Sequence, residues 1–213
     1  MADVRLLIAD DHAVVRQGIR QILSDAPEVR IVGEACTGVE ALELMRESDA
    51  DLVLLDLSMP GLTGLDVVRQ VRHERPTVRI LVLSVHPEEQ YAVRVMKAGA
   101  SGYLTKDSAP EELITAVRCI ASGHKYVTAT LAERLAAEVE IGSDKLPHES
   151  LSDREYQVML LLAEGLRVQD IAERLTLSAK TVSTYRTRLL QKMNMRSSTD
   201  VVRYALRHGL VNE

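Results

Sequence analysis

The chain has 213 residues, 46% hydrophobic and 27% charged, enough apolar material for packed cores and a length suited to two domains. No segment approaches the roughly 18 to 20 uncharged apolar residues of a membrane span, the opening Met1-Ala2-Asp3-Val4-Arg5 lacks a signal-peptide layout, and Cys36 and Cys119 form neither a C-x-x-C pair nor a disulfide framework. A soluble, cytoplasmic protein without a membrane partner is expected, and its net charge of −5 is uneven: residues 151–213 carry 10 Lys and Arg against 7 Asp and Glu, while the preceding 150 carry 16 against 24.

The first 122 residues alternate short apolar runs with amphipathic segments. Val4–Ala9, Val29–Gly33, Leu52–Leu57, Arg79–Ser84 and Gly102–Thr105 are predicted strands, mostly too apolar to have a wet face. The spacing predicts helices at 13–24, 38–46, 65–73, 88–98 and 110–121. In the last, Leu113, Ala116, Val117 and Ile120 mark one buried face, Pro110 fits the first turn and Gly123 a C-cap. Alternating strands and helices imply right-handed crossovers and a parallel sheet covered on both faces, an α/β fold.

From Val127 the strand signals stop. Residues 128–140 have helical spacing through Leu131, Leu135 and Val139, and residues 141–150, with Gly142, Ser143 and Pro147, read as a flexible linker. Four helical segments follow, at 153–164, 168–175, 179–193 and 198–208. The expected organisation is therefore a domain over 1–123, a linker helix and flexible linker over 124–150, and an all-α domain over 151–213. The basic last segment makes nucleic acid a candidate partner. With Phe and Trp both absent, stacking on single strands would fall to six tyrosines, which disfavours that class.

Asp10 and Asp11 stand at the end of the first strand and Asp56 near the end of the third. In an open parallel sheet of order 2-1-3-4-5 these strands are neighbours, and the crevice at their carboxyl ends is the expected ligand site. Converging carboxylates repel one another unless a cation neutralises them. A hard divalent ion such as Mg²⁺ suits carboxylate, water and phosphate oxygens. Ser84 ends the fourth strand and Lys106 follows the fifth, adding a hydroxyl and an ammonium suited to cradling a phosphoryl group. Asp56 is the candidate nucleophile. Aspartates after strands are commonly helix caps or turn residues, but five polar groups of these types at four strand ends point to a site.

Asp10-Asp11-His12, Asp56-Leu57-Ser58-Met59-Pro60-Gly61, Ser84 and Gly99-Ala100-Ser101-Gly102-Tyr103-Leu104-Thr105-Lys106 resemble the receiver domain of two-component response regulators, over residues 3 to about 123. The resemblance implies a flavodoxin-like (βα)5 fold. It implies that Asp56 accepts phosphate from a sensor histidine kinase, and that Asp11, Asp56 and the Ser58 carbonyl coordinate Mg²⁺ with help from Asp10. Ser84 and Lys106 would contact the phosphoryl group, and Tyr103 would turn inward when Ser84 moves. Ser58 and His86 occupy the two positions that tune phosphate loss in this family. Many receivers have Pro after the lysine; here Asp107 stands there, so no cis bond is expected.

In the last segment Ser152 and Glu155 are spaced as a capping box, and Val168–Leu175, the turn Thr176-Leu177 and the N-cap candidate Ser178 lay out a helix-turn-helix. The third helix contains Lys180, Arg186, Arg188 and Lys192 and no acid. Val182, Leu189 and Met193 form its buried stripe, while Lys180, Ser183, Thr184, Thr187 and Gln191 lie on the face free to enter a major groove. Cations attract phosphates, and Ser or Thr can touch base edges or the thymine methyl. Leu151-Ser152-Asp153-Arg154-Glu155, Gly165, Asp170-Ile171-Ala172, Leu175, Leu177-Ser178 and Lys180-Thr181-Val182 resemble the LuxR-type helix-turn-helix, so the whole chain resembles a NarL/FixJ-family response regulator. The implied DNA-binding set is Lys180, Thr181, Ser183, Thr184, Thr187, Arg188 and Lys192. The implied partners are double-stranded promoter half-sites, a sensor histidine kinase, a second copy when phosphorylated and, as a further candidate, RNA polymerase.

Two other readings compete: a Mg²⁺-dependent phosphatase with an Asp nucleophile, marked by multiple turnover on a phosphate ester, and a DNA-binding protein whose first domain only dimerises, marked by DNA affinity indifferent to phosphorylation. The first wants a second acid two residues after Asp56, where Ser58 stands. The six histidines show no zinc spacing.

Overall fold

The computed structural model describes residues 3–60, 62–140 and 146–211, with only the backbone for Glu89 and 137–140. The chain forms two compact units, 1–136 and 137–213.

In the first unit β1 (Val4–Ala9), β2 (Val29–Ala35), β3 (Leu52–Asp56), β4 (Arg79–Ser84) and β5 (Gly102–Thr105) form a parallel sheet of order 2-1-3-4-5. The connecting helices are α1 (Ala13–Leu23), α2 (Gly38–Glu47), α3 (Gly64–Glu74), α4 (Glu88–Ala98) and α5 (Pro110–Ala121). α1 packs against α5, while α3 packs between α2 and α4. Strand alternation supplies two cores. Leu6, Ile8, Leu52, Leu54, Leu81 and Leu83 face Ile19, Leu23, Leu113, Ala116, Val117 and Ile120 of α1 and α5. Leu7, Val53, Leu55, Ile80 and Val82, on the alternate positions, are equally buried. β2 runs two residues past the expected Gly33. A register shift between Leu6 and Leu7 lets Glu34 and Ala35 pair with Ile8 and Ala9.

Local chemistry fixes the helix starts. The Thr37 and Thr63 hydroxyls accept the amides of Glu40 and Asp66, and Gly99 closes α4 at φ 110°, where a side chain would be strained. The described residues include no cis peptide bond. After α5 the chain turns back beside the sheet: Tyr126 bridges Gly102 in parallel, and its N–H donates to the Ser101 carbonyl. Helix α6 (Ala129–Glu140) then begins with Leu131 fully buried. Of the expected flexible linker, residues 141–145, with Gly142 and Ser143, lie outside the described residues, and Pro147–Ser150 form a 3-10 turn.

The second unit holds α7 (Asp153–Ala163), α8 (Val168–Arg174), α9 (Ala179–Lys192) and α10 (Ser198–Arg207). α7 is its centre, packing against the other three. Ser152 and Glu155 close the expected capping box. The turn between α8 and α9 places Thr176 at φ 54°, held by Thr176 N–H to the Glu173 carbonyl and Leu177 N–H to the Ala172 carbonyl. On α10, Val201 and Ala205 are core, whereas Leu206 is 40% exposed.

Candidate functional site

The carboxyl ends of β1, β3, β4 and β5 bring together the residues that lie far apart in sequence. Asp10 and Asp56 are buried, and the Lys106 Nζ sits between them, 2.6 Å from Asp10 Oδ2 and 2.9 Å from Asp56 Oδ2. Lys106 directs a hydrogen bond to Asp56. The same ammonium is still closer to Asp10, so a single cation is shared between two buried carboxylates. The other carboxylate oxygens take backbone donors: His12 N–H reaches Asp10 Oδ1 at 2.8 Å, and Ser58 N–H reaches Asp56 Oδ1 at 3.1 Å.

Burial raises the Asp56 carboxyl above its ordinary value, with the Asp10 charge adding to the shift and Lys106 and the Ser58 amide only partly offsetting it. Burial alone would lower Lys106; the paired carboxylates outweigh it and hold the ammonium charged. With two buried carboxylates and one ammonium, the site is short of positive charge.

Asp11 and His12 lie at the mouth, the His12 Nδ1 2.8 Å from Asp11 Oδ1. One ligand atom from each of Asp10, Asp11, His12 and Asp56 falls within 4.8 Å of the others. This oxygen-rich set, in which two buried carboxylates share one ammonium, fits a hard divalent cation. His12, which the sequence motif carries without a ligand role, joins the cluster, but its imidazole is a poorer match to Mg²⁺ than the carboxylates. Ser84 is buried and its Oγ accepts the His86 N–H at 3.1 Å. Tyr103 is already inward, fully buried, with its hydroxyl donating to the His86 carbonyl at 2.7 Å. The Ser58 Oγ and His86 Nε2 stand 3.5 Å apart, bringing those two positions together. Gly61, the last residue of the motif around Asp56, lies outside the described residues.

One contributor was invisible in the sequence. A Cβ on Gly64 would fall 2.5 Å from the Leu57 Cα and 2.8 Å from the Asp56 carbonyl oxygen, both backbone atoms. The glycine lets α3 start directly against the Asp56 loop, and no periodicity announces such an approach. Gly64→Ala should cost about 1–3 kcal/mol and slow phosphoryl uptake. A wild-type melting temperature and uptake rate would show that the loop yields freely.

The second candidate surface is α9. Val182, Leu189 and Met193 are buried as expected, and Lys180, Ser183, Thr184, Thr187, Arg188 and Gln191 are exposed. The Thr184 and Thr187 hydroxyls donate to the Lys180 and Ser183 carbonyls, which orients the side chains and leaves their oxygens able to accept. Thr181 is half-buried in the helix cap: its N–H donates to the Ser178 Oγ, and its hydroxyl lies 2.8 Å from that oxygen. Lys192 turns back, its Nζ 2.7 Å from the buried Glu155 carboxylate. Burial would raise Glu155, but Lys192 and the Ser152 contacts hold it below its ordinary value. Arg186 donates to the Ser198 hydroxyl and so joins α9 to α10. Sequence spacing gave no sign of these tertiary partners.

Comparison with known proteins matches residues 6–118 to the family model described as response regulator receiver domain, and residues 149–205 to that described as bacterial regulatory proteins, luxR family. The chain is 41% identical to the response regulator UvrY of Escherichia coli K12 over 98% of this chain and 96% of that one. It is 38% identical to the response regulator GacA of Pseudomonas aeruginosa over 98% of each. Among solved structures it is similar to RcsB of Salmonella enterica serovar Typhimurium bound to promoter rprA in the presence of the phosphomimetic BeF3-. The TM-score there is 0.64 and the identity 27%, over 95% of this chain and 98% of that one.

Proposed function

Because the chain belongs to the NarL/FixJ-type response regulators, with a receiver and a LuxR-type DNA-binding domain, we propose that phosphorylation of Asp56 by a sensor histidine kinase controls its binding to double-stranded promoter DNA. The observation that carries this reading is Lys106 held between two buried carboxylates at the ends of adjacent parallel strands.

Asp56 would be the phosphoacceptor, with Lys106 offsetting the cost of its buried charge and afterwards pairing with the phosphoryl oxygens. Ser84, whose hydroxyl now accepts the His86 amide, would turn to a phosphoryl oxygen, and Tyr103 would follow the loop through its bond to the His86 carbonyl. Asp10, Asp11, Asp56 and the Ser58 carbonyl would hold Mg²⁺, which supplies neutralisation of phosphoryl charge when bound. The chain would act as a transcription regulator, not as an enzyme with multiple turnover.

Domain limits of 1–123, 124–150 and 151–213 belong to the same reading. The exposed Lys180, Ser183, Thr184, Thr187 and Arg188 would meet DNA, Thr181 would set the helix start, and Lys192 would act from its pairing with Glu155. A phosphorylated homodimer on paired half-sites, contact with RNA polymerase and a cytoplasmic location complete it. Among the described residues, no helix is long and apolar enough to cross a membrane.

The test is a salt titration of duplex DNA affinity with Mg²⁺, with and without beryllofluoride. Beryllofluoride should tighten binding, and Lys180→Ala and Arg188→Ala should each reduce the salt slope by about one. Affinity indifferent to beryllofluoride would favour a purely dimerising receiver, and an unchanged slope would remove α9 from the interface.

A further inference from the structure

We infer that Glu88 and Thr128 form the link through which the phosphoryl site acts on helix α6, an inference that rests on the response-regulator reading above. The Ser84 Oγ accepts the His86 amide, and the Tyr103 hydroxyl holds the His86 carbonyl. Pro87 is the N-cap of α4 and Glu88 its first residue. The path from the buried hydroxyl at the site to the start of α4 is thus four residues of chain, gripped at His86 from both sides.

Glu88 in turn receives a hydrogen bond from the Thr128 hydroxyl at 2.5 Å. The same Thr128 oxygen accepts the Leu131 N–H at 3.1 Å, and the Thr128 carbonyl accepts the Ala132 N–H at 3.0 Å, so this side chain also starts α6. One hydroxyl therefore joins the first turns of two helices.

The segment leading to Thr128 is fixed independently. Tyr126 lies beside β5, bridging Gly102 and donating its N–H to the Ser101 carbonyl. A Cβ on Gly102 would meet the Tyr126 carbonyl at 2.8 Å, so the approach depends on that glycine. The Tyr126 hydroxyl reaches Glu112 of α5, and Leu131 is fully buried. With Tyr126 anchored, a displacement of the β4–α4 loop acts on α6 at Thr128. A group on Asp56 that draws the Ser84 hydroxyl from the His86 amide releases that loop and shifts Glu88. Glu88 and Thr128 are positioning residues: they touch no reacting atom and carry the change to the helix that leads along the chain toward the second unit.

The experiment follows backbone amide NMR signals of the full chain with Mg²⁺, before and after beryllofluoride. It compares wild type, Glu88→Ala, Thr128→Val, the double variant and Thr128→Ser. Glu88→Ala breaks the link without touching the Thr128 cap, so it remains informative if Thr128→Val frays α6. Wild type should respond at Ser84, Lys106 and residues 129–136. In Glu88→Ala and Thr128→Val the first two responses should persist while that of α6 falls at least about fivefold. The double variant should lose no more than either single one, and Thr128→Ser should restore the response.

A full α6 response in Glu88→Ala, or a wild type that responds at Ser84 and Lys106 but not in α6, would overturn the link alone. A wild type silent at Ser84 and Lys106 would overturn the phosphoacceptor reading, and the link with it.

Discussion

Asp56→Asn should take up no phosphoryl group from acetyl phosphate, yet melt at a higher temperature than the wild type in magnesium-free buffer. Losing uptake follows from removing the only carboxylate oxygens at the end of β3 that Lys106 and the Ser58 amide both address. The gain in stability follows from charge. Asp10 and Asp56 are almost fully buried and share one ammonium, so an uncharged isostere at position 56 leaves a balanced Asp10–Lys106 pair. A gain on the order of 1 kcal/mol is expected, because removing an undercompensated buried charge is commonly neutral or stabilising.

The pH dependence has a definite sign. Burial raises Asp56 in the folded chain, so its contribution to stability is complete below the ordinary carboxylate value and is lost as pH rises through the raised one. The advantage of the variant should therefore grow from acid toward neutral pH. Calorimetry of the receiver transition across pH, with mass spectrometry of acetyl-phosphate-treated protein, checks both halves. Retained acyl phosphate on the variant would remove Asp56 from its role, and a lower melting temperature would show that another group neutralises the pair.

Lys106→Met should be the most damaging single change in the first unit, costing about 3–5 kcal/mol in the absence of divalent cations, because it leaves two buried carboxylates facing each other. Methionine keeps most of the side chain's bulk, so the loss reports charge rather than a cavity. Added Mg²⁺ should recover part of it, and more than it adds to the wild type, since the ion then supplies positive charge where the Lys106 ammonium stood between Asp10 and Asp56. The double variant with Asp56→Asn should be less unstable than the two single effects combined, as expected for groups in one network. A loss no larger than that of an exposed ion pair, about 1 kcal/mol or less, would mean that one carboxylate escapes by taking up a proton. An equal response of wild type and variant to Mg²⁺ would place the ion elsewhere.

Much of this arrangement could be read without coordinates, for reasons visible in particular residues. The strands were legible because β1, β3 and β4 are buried on both faces and so appear as unbroken apolar runs, Leu6–Ala9, Leu52–Leu55 and Ile80–Leu83. Helix starts were legible where a short-range hydrogen bond defines them, as with Ser152 and Glu155 or Ser178 and Thr181. β2 outruns its apolar pattern because Glu34 and Ala35 join the sheet through pairing with β1 across a register shift, which no local pattern in the strand itself encodes. Val182, Leu189 and Met193 fell on one buried stripe by helical spacing alone. Lys192 sits at a position that spacing leaves to solvent or DNA, and it stays exposed, but its ammonium is tied to the buried carboxylate of Glu155, 37 residues earlier.

By itself, the sequence determined the alternation of strands and helices, the change to an all-helical pattern in the last sixty residues, and the residue types at the strand ends. Each of these is written in local periodicity, capping and side-chain chemistry. Only the tertiary structure decided how charge is shared in the site, that Gly64 must be bare for the Asp56 loop to lie where it does, and that Thr128 ties α6 to α4. Such features depend on backbone approach and on burial, which a linear pattern does not specify. A carboxylate at a strand end has the same formula in water and in a crevice, and the fold alone removes the water around Asp10 and Asp56 and leaves Lys106 to balance both.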